Sequence, residues 1–344
     1  MASFYQKYKN VIKWGLLVLV LAFVGQFVWN SNLEVIGGYL RKMPFTFLGV
    51  VGLSFFAYLS ATIAWRLCMG NDGDKTGILQ LFMIRHVGEM LSVFNPTSVI
   101  AGETLKAHYL AKNGMDNKRS ISSILLSRIL IILSALLLII LSSLYLIFGV
   151  LGDNQGLPII IMALIVIGGF GYLLARFLLH SKLYLHKAVS KLQRRFGNKY
   201  ITDKLLDAIK EINLEAHTFY SHNKGKFFWA FLLSVIHWIF GAAEFYLILK
   251  VLGFDISVVN AIAIEMGVIL FKTVGAIVPG QVGVEEYANK VMLEAVGIAG
   301  NEVWLVVSIM RRARQLFWVG IAGVFYFFME KGYIKVINMT NRWL

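Results

Sequence analysis

Asn95-Pro96-Thr97-Ser98-Val99-Ile100-Ala101-Gly102-Glu103 and Val278-Pro279-Gly280-Gln281-Val282-Gly283-Val284-Glu285-Glu286 each interrupt an apolar region. Backbone that leaves a helix at membrane depth is tolerated only where protein or a water-filled cavity satisfies it. The surrounding regions, 78–112 and 257–297, are therefore expected to be re-entrant helical hairpins. Each arm would be about 14–18 residues long, too short to cross the bilayer comfortably.

The two stretches repeat one pattern. Counting from Pro96, Glu103 stands at +7, Leu110 at +14, Gly114 at +18 and Arg128 at +32; the same offsets from Pro279 reach Glu286, Leu293, Gly297 and Arg311. The chain has only four prolines, so few pairs were available to produce this match.

The setting is a membrane. Of 344 residues, 58% are hydrophobic and 15% charged, against about half and a quarter in soluble domains. A single cysteine, Cys68, excludes a disulfide framework and a multi-cysteine metal site. A crossing needs about 20 apolar residues. Spans are expected at 12–29, 45–67, 127–150, 157–179, 227–250 and 303–329, with Trp14, Trp29, Trp65 and Trp229 suited to the interfaces. Lys7, Lys9 and Lys13 before the first apolar run resemble a signal peptide, but no small-residue cleavage pattern follows Trp29. An uncleaved first span is expected.

Charge sets the orientation. The net +14 would favour nucleic acid in a soluble chain, but here ten Lys/Arg and four Asp/Glu fall within 180–226, between two spans. Basic loops stay on the cytoplasmic side, which makes nucleic acid an unneeded partner. Both termini are then cytoplasmic, in the inner (cytoplasmic) membrane of the cell. The first hairpin enters from inside and the second from outside. The units 45–150 and 227–329 become inverted repeats within one integral membrane domain, 1–344, an architecture recurrent among transporters. Within 180–226, Ile201, Leu205, Ile209, Ile212, Ala216 and Phe219 recur at helical spacing. A helix packed under the bundle is preferred to one gathering anionic lipid, because its polar face is mixed in charge.

Asn95 can cap a helix and Pro96 suits its first position; Pro279-Gly280 would begin the second arm of the other hairpin likewise. Helix amides aimed inward would suit an anion, most naturally a phosphate. Charges inside the apolar regions reinforce this: Arg85, His86, Glu89, Glu103, Lys106 and Arg128 in one half, Glu265, Lys272, Glu285, Glu286, Arg311, Arg312 and Arg314 in the other. Such residues usually face one another or a cavity. The structural alternative is ion pairing, Arg128 to Glu103 and Arg311 to Glu286.

Asn95-Pro96 … Ala101-Gly102-Glu103-Thr104-Leu105-Lys106 … Leu110 … Gly114 is similar to the Gly-Gly-Glu segment of the flippase-like membrane domain of lysylphosphatidylglycerol synthases. Val278-Pro279-Gly280-Gln281-Val282-Gly283-Val284-Glu285 … Leu293 … Gly297-Ile298 resembles that family's second signature, and the likeness runs along nearly the whole chain. It implies a flippase-like fold moving aminoacyl-phosphatidylglycerol or another phosphate-bearing lipid, such as a polyprenyl or glycolipid type. It implies functional roles for Gly102, Glu103 and Lys106, and for Pro279, Gly280, Gly283 and Glu285. Ala101 stands where the first Gly of the pair is common, and with no aminoacyl-transfer domain expected after residue 344 the resemblance points to transport rather than lysyl-lipid synthesis.

The expectation is thus an all-α polytopic membrane protein of about six full spans and two re-entrant hairpins, acting as a lipid transporter by alternating access around a midplane cavity. The substrate-binding set is Arg85, Glu89, Asn95, Pro96, Gly102, Glu103, Lys106, Arg128, Lys272, Pro279, Gly280, Gly283, Glu285, Glu286 and Arg311, with no catalytic residue, metal or cofactor. The expected partners are anionic or phosphate-bearing membrane lipids, with a lipid or glycan synthase and a second copy of the chain left open. A membrane-embedded lipid or glycan transferase and a non-transporting partner of a synthase are the rivals. Against an enzyme, Gly70-Asn71-Asp72-Gly73-Asp74-Lys75-Thr76 lacks the glycine before lysine of a phosphate loop, and His86-x-x-Glu89 has no further ligand beside it.

Overall fold

A computed structural model describes residues 45–94, 96–147, 157–179, 184–196, 203–278, 281, 283–300 and 302–330, with isolated positions 34, 37, 38 and 41. The expected first span, 12–29, lies outside them, as do Asn95, Pro279 and Gly280. Eleven α-helices and no strand occur among the described residues. They are α1 (Thr46–Cys68), α2 (Ile78–Phe94), α3 (Pro96–Lys112), α4 (Asn117–Leu146), α5 (Leu157–Leu179), α6 (Tyr184–Phe196), α7 (Asp203–His222), α8 (Lys224–Val251), α9 (Val258–Val274), α10 (Val284–Ala295) and α11 (Val303–Glu330). Three stretches, Thr46–Cys68, Asn117–Tyr145 and Lys224–Val251, are long and apolar enough to cross a membrane. The chain is an all-α, multi-pass membrane protein. Its outward apolar side chains fit a lipid solvent: Ile165, Val166 and Leu316 are 69%, 65% and 70% exposed.

Local chemistry sets the helix ends. Asp116 caps α4 by accepting from the amides of Lys118 and Arg119, at 3.0 and 3.3 Å. The helix therefore starts ten residues before the span expected at 127. Gly114 and Gly297 take positive φ, 90° and 84°, where a side chain would be strained. Each lets the next residue's amide reach back five positions, Met115 to Leu110 at 3.1 Å and Ile298 to Leu293 at 2.9 Å. Cys68 and Val251 end α1 and α8, and Lys112 and Ala295 end α3 and α10; both pairs are 183 positions apart, like Pro96 and Pro279.

The two tips differ. In the first, α3 begins on Pro96 itself, with a single residue between it and the end of α2. In the second, α9 passes into a 3-10 turn, Gly275–Ile277, and α10 starts only at Val284. That start is later than the one expected at Pro279-Gly280, which lies outside the described residues. Positive φ at Gln281 and Gly283 (52° and 82°) turns the chain before it can wind.

Contacts divide the chain into two units. One comprises the described parts of Met1–Phe56, Arg85–Gly102 and Ile239–Ile337. Its core joins Phe245, Ile248 and Leu249 of α8 to Ile264 and Val268 of α9, Leu293 of α10, and Trp304 and Val307 of α11. Trp318 of α11 donates to Ser54 of α1 at 2.8 Å. The other unit comprises Ala57–Ile84 and Glu103–Trp238, with Asn338–Leu344 outside the described residues. There Ala64, Leu126, Leu130, Ala216 and Ala230 form a core. The connection 180–226 is helical, as α6 and α7, and α7 packs on α4 and α5 as a connector would.

Candidate functional site

In the first unit, the charges of α8, α9, α10 and α11 converge. Arg311 is 3% exposed and faces three carboxylates: Glu265 at 3.0 Å, Glu285 at 3.2 Å and Glu244 at 3.5 Å. Its guanidinium also lies 4.3 Å from the centre of the Phe245 ring, a cation–π contact. Arg314, one turn further along α11, donates to the other Glu244 oxygen at 2.6 Å. Lys272 binds Glu285 at 3.1 Å. Arg312 binds Glu286 at 2.8 Å and the Gln281 carbonyl at 2.9 Å. Four acids thus meet four bases. That balance is what buried charge demands, since an unpaired ion away from water is expensive.

The spacing follows from the helices. Arg311 and Arg314 are three apart and share a face of α11; Arg312 is rotated by about 100° and meets the start of α10 instead. Gly241 makes room for Glu265: a Cβ there would stand 3.1 Å from Glu265 Oε1. Around the second tip, Gln281 donates to the Lys272 carbonyl at 3.1 Å. Glu286 accepts from the Gly283 amide at 2.6 Å. An amide expected to await a phosphate is therefore taken by the chain's own carboxylate, at a helix end that favours negative charge.

The expected Arg311–Glu286 pair is replaced by Arg311 with Glu285, while Glu286 belongs to Arg312. The two glutamates are neighbours on α10, so their side chains point about 100° apart and meet different arginines. Arg85 is buried and Glu89 partly so on α2. Both belong to this unit, as do Pro96, the first residue of α3, and buried Gly102. His86 stacks near Trp318, ring centres 5.0 Å apart.

The second unit holds a smaller group. Glu103 Oε1 accepts from Arg128 Nε at 2.9 Å and pairs with Lys106 at 3.1 Å. Lys106 is buried, whereas the Arg128 side chain is 32% exposed. Among the described residues, the other Glu103 oxygen is buried without a hydrogen-bond partner.

The expected set thus resolves into two groups of partners, Glu103, Lys106 and Arg128 in one, Lys272, Glu285, Glu286 and Arg311 in the other. Glu244 belongs to the second group and is absent from the expected set; it lies inside the expected span 227–250. Its signal was an acid within that span, a costly position without a partner. Among the described residues, no group of three His, Cys, Asp or Glu is placed to hold a metal ion.

No curated protein and no solved structure matches the chain. A family model does, that of the lysylphosphatidylglycerol synthase TM region, over residues 10–323. With most of its length matched, and with the charged helices falling inside the match, the chain belongs to the lysylphosphatidylglycerol synthase TM region family.

Proposed function

We propose that this protein moves a phosphate-bearing lipid between leaflets by alternating access, leaving the lipid chemically unchanged. The observation that carries the reading is the balanced set of buried charges on membrane helices around Arg311. Such groups are costly in lipid and are characteristic of transport pathways. Membership of a family named for a lipid supports the same class. The proposed cargo is aminoacyl-phosphatidylglycerol or a polyprenyl or glycolipid relative. The protein is placed in the cytoplasmic membrane with both termini inside, on the strength of the basic 180–226 connection.

The phosphate role falls to cations at the margins of the clusters. Arg311 is enclosed by three carboxylates, which would repel an anion. Lys272 and Arg128 are partly exposed and each held by a glutamate. A lipid phosphate can replace Glu285 on Lys272, or Glu103 on Arg128, and so couple binding to rearrangement of the ion pairs. Alternating access needs such differential contacts between its two states.

Proteoliposomes carrying fluorescent phosphatidylglycerol, bleached from outside by an impermeant reductant, test this. The intact protein should expose inner-leaflet lipid far faster than empty vesicles do. Lys272→Gln and Arg128→Gln should return the rate toward that of empty vesicles while remaining folded by thermal unfolding. Recovered lipid should keep its mass. A rate equal to that of empty vesicles for the intact protein would overturn the proposal.

A further inference from the structure

The end of α1, the first turns of α4 and the second half of α7 line an open cavity of about 390 Å³, within the unit that contains Glu103–Trp238. None of its lining residues belongs to either charged group described above. Its floor includes Cys68, Leu126 and Ala216, all buried and apolar. Its walls offer the hydroxyl of Thr218, the amide of Asn223 and two opposite charges, Arg119 and Glu215.

Those charges are only partly engaged. Arg119 gives one guanidinium nitrogen, Nη1, to Asp72 at 2.5 Å, and its side chain is 66% exposed. Glu215 is half-buried and has no hydrogen bond or ion pair to a described residue, although it is close enough for Arg119 to feel its charge. Phe219, one turn on, adds an aromatic ring to the lining beside it. A carboxylate and a ring together suit an ammonium group, and a guanidinium with spare N–H groups suits a phosphate. A purely anionic group would meet Glu215 and Asp72 as well as Arg119, so a zwitterion is the better complement. Depth agrees: Cys68 ends one membrane-length helix and Asn117 begins another, which is where headgroups lie.

We propose that this cavity binds the headgroup of a zwitterionic phospholipid, its phosphate on Arg119 and its ammonium on Glu215 and Phe219. The first methylenes of the lipid cover the apolar floor. This site is independent of the transport proposal and takes a different headgroup from the anionic cargo.

The full chain in detergent can be exposed to phosphatidylethanolamine, phosphatidylglycerol and free glycerophosphoethanolamine, and bound lipid counted by native mass spectrometry. Phosphatidylethanolamine should be retained over phosphatidylglycerol. Glu215→Gln should weaken its retention about tenfold, the loss of one charge-assisted hydrogen bond. Thr218→Phe, at an exposed position, should block retention by filling the cavity while both charges remain. Equal retention of the two lipids, or undiminished retention by both variants, would overturn the proposal. Equally tight binding of the free headgroup would overturn the lipid assignment, because the apolar floor would then contribute nothing. None of these readings depends on transfer between leaflets.

Discussion

The two charged groups sit at matching positions in the chain and are built differently. Around Arg311, four acids and four bases draw on four helices, and the central guanidinium is almost fully enclosed. Around Glu103, one acid serves two bases, one of which is a third exposed. The repeat conserved the framework of helix ends and glycine turns while the charges diverged. Position 102 is glycine where 285 is glutamate, and position 106 is lysine where 289 is asparagine. Asn289 instead donates to Ser308 at 2.8 Å, a neutral pairing in place of an ionic one. The dense group is closed by its own counter-ions, with Arg311 only 3% exposed; in the sparse one the arginine, paired with Glu103, keeps a third of its side chain exposed.

The contrast can be broken most decisively at Arg311. Arg311→Met leaves three carboxylates facing one another, and removing one member of a buried ion pair typically costs about 3–5 kcal/mol. The variant should lose most of its folded yield in detergent, and thermal unfolding should show the largest drop of any single change. Adding Glu285→Gln should recover part of that loss; a double variant no better than the single one would show that Glu285 is not energetically coupled to Arg311.

Gly275→Ala should rank next. Its new methyl would stand 2.5 Å from Val284 Cγ1, a branched side chain with little room to move. Overpacking of this kind costs about 1–3 kcal/mol, so unfolding should be measurably earlier. Glu103→Gln should matter less for stability, about 1 kcal/mol after discounting for the exposure of Arg128. If it instead unfolds the protein as Arg311→Met does, the distinction between the groups fails. Asp255→Asn removes an exposed pair with Lys250, and unfolding should not change measurably.

Much of the helix plan was readable because it depends on local chemistry. The apolar run 157–179 is helical from end to end, as α5. Gly114 and Gly297, read as matching positions of the repeat, follow helix ends in the structure, where positive φ excludes most other residues. Reading failed where two local signals compete. Pro279-Gly280 looks like a helix start, yet Gln281 and Gly283 turn the chain and α10 begins at Val284. In the folded chain Glu285 faces Arg311 and Glu286 faces Arg312. Glu244 was hidden for another reason: its partners come from α11, about 70 residues away, and no local pattern reveals them.

The amino-acid sequence alone determined that the chain lives in a membrane, that it is helical, and that two proline-centred stretches repeat one pattern. These follow from transfer free energy and backbone sterics, which act over a few turns of chain. Only the tertiary structure decided which charges meet. A buried ion is stabilised by whichever counter-ion lies within a few ångströms, and on a helix a shift of one residue turns a side chain through about 100°. The spacing left two readings of the charges within the apolar helices, a cavity or mutual pairing; the fold chose Glu244, Glu265 and Glu285 for Arg311.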